Sequence, residues 1–153
     1  MTDSPRKVLV SACLLGCECR YDGRHNRDKV LEEELAANGE EAVPFCPEEA
    51  GGLPTPRPPA WIKALSASAV LDGEDRLVTE DGSDVTEPFL RGAHAALAKC
   101  KAHSIGRAYL KERSPSCGVK NTHVNAKLTS GPGVTAALLA RNDIAVIGVE
   151  GKR

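Results

Sequence analysis

Lys7-Val8-Leu9-Val10-Ser11-Ala12-Cys13 decides the fold. Its β-branched run reads as a central strand, and it ends in small residues that let the backbone approach a ligand. Two further segments repeat the pattern of a buried strand followed by a cysteine. They are Glu41-Ala42-Val43-Pro44-Phe45 before Cys46, and Gly106-Arg107-Ala108-Tyr109-Leu110-Lys111 before the loop Ser114-Pro115-Ser116-Cys117-Gly118. If the three strands are parallel neighbours, the three thiols meet on one edge of one sheet. Open α/β sheets bind ligands at that edge, so a site of soft metal ligands is the leading expectation.

Between the first two strands, Asp28 can cap a helix with Val30, Leu31 and Leu35 on its apolar side and a stop at Asn38-Gly39. Strand, helix and strand make a βαβ unit. Pro47 to Pro59 is dense in Pro and Gly and predicts a rigid loop without regular structure. Ala69-Val70-Leu71 and Arg76-Leu77-Val78-Thr79, separated by Asp72-Gly73-Glu74-Asp75, predict a small hairpin. Thr86 or Asp84 can cap a long helix reaching His103, on which Phe89, Ala93, Leu97 and Cys100 recur at helical spacing. Gly131-Pro132-Gly133 opens a last helix, Val134 to Arg141, and the run Ile144 to Val149 closes the sheet. Together these elements predict one α/β domain over residues 1–153, a Rossmann-like three-layer sandwich with a mostly parallel central sheet.

The 153 residues suffice to bury a core without staples. Lys and Arg total 20 against 21 Asp and Glu, for a net charge of -1, and there are only one Trp, two Tyr and two Phe. Neither a basic footprint nor a base-stacking platform is present, so nucleic acid is not the expected partner. No apolar run approaches the roughly 18 residues of a membrane span. Met1 to Lys7 lacks the apolar run of a signal peptide, and a cytoplasmic protein with no membrane partner is expected. Six cysteines in a reducing compartment point to metal binding or catalysis rather than to disulfides.

The spacing of Cys13, Cys46 and Cys117 matches no zinc finger, and no Cys-x-x-Cys pair exists, so spacing alone does not name the metal. Cys17 and Cys19 lie close to Cys13 and read as structural or incidental thiols, and Cys100 reads as core. His25, His94, His103 and His123 read as solvated side chains. Ser114 and Ser116 set two hydroxyls near Cys117. Glu48 and Glu49 set two carboxylates beside Cys46, where a carboxylate near a metal-bound substrate can act as general acid or base. Ser11, at the end of the first strand, and Arg57, flanked by prolines, are candidate substrate contacts.

Five segments in one order now stand out: Val10 to Gly16, Arg20-Tyr21-Asp22-Gly23, Cys46-Pro47-Glu48, Gly51 to Arg57, and Lys111 to Gly118. Together they resemble the thiouracil desulfidase family, over most of the chain from Val8 to Val149. The resemblance implies a [4Fe-4S] cluster held by Cys13, Cys46 and Cys117, with the fourth iron free of protein ligand. It also implies catalytic roles for Glu48 as acid-base carboxylate and for Ser114, and a hydrolytic, non-redox removal of sulfur from a thiolated nucleobase such as 2-thiouracil.

From the residues alone, other functions stay open. One is a non-catalytic zinc or iron-sulfur binding module, which requires a closed set of four protein ligands. Another is a thiol redox protein working through Cys17 and Cys19. A third is a desulfidase of thiolated tRNA, and the balanced charge favours a small-molecule thiolated nucleobase over it. No feature of the sequence sets an oligomeric state.

Overall fold

The computed structural model describes residues 6–153. In chain order its elements are β1 (Arg6–Ser11), a 3-10 turn (Ala12–Leu15), α1 (Lys29–Ala37), β2 (Glu40–Phe45), α2 (Pro47–Ala50), β3 (Ala60–Ile62) and α3 (Ala67–Leu71). There follow β4 (Leu77–Thr79), α4 (Thr86–Ala102), β5 (Arg107–Lys111), β6 (Asn121–Val124), β7 (Lys127–Ser130), α5 (Val134–Arg141) and β8 (Ala145–Val149).

The central sheet runs β2-β1-β5-β8 and is parallel throughout, with Val8 beside Ala42 and Leu9 beside Ala108. Side chains alternate across β1. Val8 and Val10 pack with Leu31 and Leu35 of α1 on one face, and Leu9 packs with residues of α4 and α5 such as Ala93, Leu97, Cys100, Leu138 and Leu139 on the other. Two helical layers therefore enclose one sheet, as the sequence predicts. The chain moves outward from β1 to β2, then returns past β1 to β5. A crevice forms where the strand order reverses, beyond the carboxyl ends of β1 and β5.

Asp28 caps α1 by accepting the Leu31 N–H at 2.9 Å and also takes the Arg153 guanidinium at 2.9 Å. Leu31 and Leu35 are buried as expected. Val30 is exposed, because it lies about 100° around the helix from Leu31. Asp84 accepts the Thr86 N–H at 2.9 Å at the start of α4, while the Thr86 hydroxyl turns to the Leu77 backbone instead. Phe89, Ala93, Leu97 and Cys100 are buried along α4.

Two further expectations are corrected. The stretch from Pro47 to Pro59 contains a helical turn, α2: Pro47 sits where the helix needs no N–H, and Glu48 and Glu49 occupy the electropositive first turn. Ala69-Val70-Leu71 is not a hairpin arm. Ser66 accepts the Ala69 N–H at 3.1 Å and starts helix α3, so local capping outweighs strand propensity. The partner of β4 is β3, with Trp61 opposite Val78. These two strands belong to a second sheet, β4-β3-β6-β7, in which β3 and β6 are parallel and the other pairs antiparallel. Ile62 and Leu77 of this sheet pack with Val70, Phe89, Val134 and Ala137.

Helix α2 lies directly on α4. A Cβ on Gly51 would strike the Pro88 carbonyl, and one on Gly92 would strike the Pro47 carbonyl. Backbone thus meets backbone at both points, and the contact fixes the turn that carries Glu48. Gly92→Ala is expected to lower stability by about 1–3 kcal/mol through overpacking, measured by urea denaturation.

Candidate active site

One cavity of about 530 Å³ opens beyond the carboxyl ends of the central strands. Ser11, Ala12 and Cys13 reach it from β1, Phe45, Cys46, Pro47 and Glu48 from β2, and Lys111 to Pro115 with Cys117 from β5. The second sheet closes one side with Ala60, Trp61, His123 and Ala126. All the candidate site residues read from the sequence (Ser11, Cys13, Cys46, Glu48, Arg57, Ser114 and Cys117) line this one space.

Glu48 ties three loops together. Its Oε1 accepts from Arg57 Nε at 3.0 Å, and its Oε2 accepts the hydroxyls of Ser116 at 3.2 Å and Ser114 at 3.4 Å. The Ser114 oxygen in turn accepts the N–H groups of Ser116 and Cys117, each at 3.1 Å. Arg57 is buried rather than exposed. It also donates to the carbonyls of Pro54 at 3.1 Å and Cys19 at 2.8 Å and to the Thr55 hydroxyl at 2.9 Å. Glu49 is exposed and accepts from Thr55. The Ser11 hydroxyl accepts the Lys111 N–H at 2.9 Å, stitching β1 to β5 beside Cys117.

The thiols differ in environment. Burial raises the pKa of Cys13, opposed by Asn26, whose Nδ2 lies 3.7 Å from the sulfur. Burial raises Cys117 as well, opposed by Ser11. Cys46 is held low chiefly by the neighbouring Cys19 thiol, and Cys19 is correspondingly pushed up. Negative charge on Cys13 or Cys46 raises Cys117, so the three thiolates repel one another. Lys111 is half-buried, and desolvation lowers its ammonium pKa against the opposing pull of Cys13.

Sequence reading leaves the roles of four residues unassigned. Ser116 reads in the sequence only as a hydroxyl near a thiol, yet it is fully buried and makes the shorter serine contact to Glu48. Asn26 reaches Cys13 from the loop after the Arg20 to Gly23 turn. Cys19 is buried and lines the cavity, whereas Cys17 is exposed, so the two do not form one incidental pair.

Glu112 is the fourth. Its buried carboxylate accepts the N–H groups of Val119 at 2.9 Å, Lys120 at 3.0 Å and Asn121 at 3.3 Å. It lies against Gly148, where a side chain would collide with it. The carbonyls of Pro115 and Ser116 accept the first N–H groups of α5, at 2.9 Å each from Val134 and Thr135. The cysteine loop is therefore held from both ends, by Glu112 and by the helix start.

The fold and the site define an α/β enzyme with a cleft of thiols and an oriented carboxylate at the strand ends. A family model for 2-thiouracil desulfurase matches residues 8–150, and the chain belongs to that family. A [4Fe-4S]-dependent thiouracil desulfidase of solved structure, TudS, is 44% identical, superposes with a TM-score of 0.79, and is matched over 94% of this chain and 90% of its own. The uncharacterised protein YbbK of Bacillus subtilis is 42% identical over 143 residues, 92% of this chain and 93% of its own length.

Glu112→Gln keeps one oxygen for the three backbone N–H groups that Oε1 accepts, but it removes the negative charge that strengthens those bonds and sets an NH2 group against the Lys120 N–H, which Oε2 otherwise accepts at 3.2 Å. The expected cost is about 1–3 kcal/mol of stability by chemical denaturation.

Proposed function

We propose that this chain is a thiouracil desulfidase that holds a [4Fe-4S] cluster on Cys13, Cys46 and Cys117 and removes sulfur from a small thiolated nucleobase by hydrolysis, with no net redox change. The observation that carries the reading is the convergence of three strand-end thiols and an oriented carboxylate on one cavity. Its likeness to a [4Fe-4S]-dependent desulfidase over 94% of the chain supports it.

The donor set fits the cluster. Three thiols free of disulfides line one wall, and their mutual repulsion as thiolates calls for a positive centre between them. Among the described residues no three His, Cys, Asp or Glu side chains converge as they would on a single ion. When bound, the cluster supplies a soft Lewis-acidic iron, free of protein ligand, to polarise the thiocarbonyl.

The remaining chemistry belongs to side chains of this chain. Arg57 fixes Glu48 through Oε1 and leaves Oε2 facing the serines and the cavity. At Oε2 the carboxylate accepts a proton from the attacking water and returns it to the departing sulfur. Ser114 relays that proton, its oxygen held in place by two backbone amides. Ser11 lines the cavity as a contact for the base, while its hydroxyl also hydrogen-bonds the Cys117 thiol. Arg57 acts through Glu48, because Nε, Nη1 and Nη2 already donate within the protein. The cavity volume lies within the range of small-molecule sites, about 300–1,000 Å³. Balanced charge supports a free base over a polyanion. Six free cysteines, and no described helix long and apolar enough to cross a membrane, accord with a cytoplasmic location.

Two sets of variants test the assignment. Cys13→Ser, Cys46→Ser and Cys117→Ser are each expected to lose the cluster on anaerobic reconstitution, and the same change at Cys17, Cys19 or Cys100 to keep it, read as iron per chain. Close to four iron atoms on Cys46→Ser would refute the ligand set. Glu48→Gln is expected to keep the cluster and lose about 100- to 10,000-fold in kcat, with Ser114→Ala similar or milder. Normal turnover with a full cluster in either variant would remove that residue from catalysis.

A further inference from the structure

Cys19 is a fourth thiol in a cavity whose chemistry needs three. It is 2% exposed, lines the same space as Cys46, and is in side-chain contact with it. The Cys46 sulfur lies 3.8 Å from the Cys19 carbonyl, and Arg57 Nη2 holds that carbonyl at 2.8 Å. The segment carrying Cys19 is thereby pinned against the residue after β2. Nothing in the desulfurisation uses this thiol.

We propose that Cys19 is the oxidation partner of Cys46: when the cluster is absent, a low-molecular-weight disulfide converts the two thiols into a Cys19–Cys46 disulfide. The inference rests on the reading of Cys46 as a cluster ligand. In the first step the Cys46 thiolate, at the cavity wall, attacks one sulfur of the oxidant and expels the other as a thiolate, leaving a mixed disulfide. In the second, the Cys19 thiolate attacks the Cys46 sulfur and expels the second oxidant thiolate. One S–S bond of the oxidant is broken and one protein S–S bond is formed. Two electrons pass to the oxidant and two protons are released to its thiolates. A thiol reductant reverses both steps.

The consequence is protection of a ligand. A bare ligand thiol facing an open cavity is exposed to sulfinic and sulfonic oxidation, which is not reversed by thiols, whereas a disulfide is. While the disulfide persists, Cys46 cannot bind iron. Cluster assembly then depends on prior reduction, which ties the activity to the thiol redox state of the cell.

The test uses the full chain, stripped of cluster with a chelator under anaerobic conditions and treated with oxidised glutathione. Peptide mass spectrometry follows. Cys13, Cys17 and Cys19 fall on one tryptic peptide, Val8 to Arg20, so variants separate them. Wild type and Cys17→Ser are expected to show that peptide cross-linked to the Cys46 peptide, and to rebuild the cluster only after dithiothreitol is added. Cys19→Ser is expected to carry glutathione on Cys46 with no cross-link. A Cys46 glutathione adduct in wild type, or a cross-link that survives Cys19→Ser, would overturn the proposal. Failure of reduced wild type to bind iron at all would instead count against the cluster reading, and leaves the disulfide map unaffected.

Discussion

The pair Glu48–Arg57 is the constraint on which the site depends. Both side chains are nearly enclosed, with 14% and 5% exposure, and their contact is 3.0 Å. In such surroundings a charge left without its partner typically costs about 3–5 kcal/mol, so the two loops that carry them are locked to each other. Arg57 extends the lock to the segment of Cys19 through its bond to the Cys19 carbonyl, and Glu48 extends it to the cysteine loop through Ser114 and Ser116. One ion pair thus sets the relative positions of the segments bearing Cys19, Cys46 and Cys117.

Behind that pair stands close backbone packing. Gly51 and Gly92 bring α2 onto α4, and Gly133 sits where a side chain would collide with the Pro115 and Ser116 backbone, at the start of α5. A parallel sheet delivers three cysteines to one edge. The helices and glycines then decide how closely the loops after those strands approach. The carboxylate is braced by regular elements as well as by loops, which is what the proposed acid-base role needs from a positioned group.

Period and capping made most of the parallel domain legible. β1, α1, β2, α4, β5, α5 and β8 all follow from apolar runs, from Asp28 and Asp84 near helix starts, and from Gly-Pro-Gly before α5. The second sheet was hidden for physical reasons. β3 is apolar but only three residues long and follows directly on prolines, and β7 is exposed at every position and shows no apolar alternation. The β6–β7 turn uses Asn125 and Ala126 at positive φ, and alanine gives no sign of that conformation. In the site, the three cysteines were visible because each follows a strand. The partnership of Arg57 with Glu48, the burial of Ser116 and the nearness of Cys19 to Cys46 depend on loops meeting across the sheet edge, which no local pattern encodes.

The most direct test of the account is turnover by the anaerobically reconstituted protein with 2-thiouracil as substrate, following uracil and sulfide together and adding no electron donor. The account predicts that the two products appear in equal amounts, without a reductant, and only with iron on the protein. A full cluster with no sulfide released, or turnover that stops unless electrons are supplied, would contradict it.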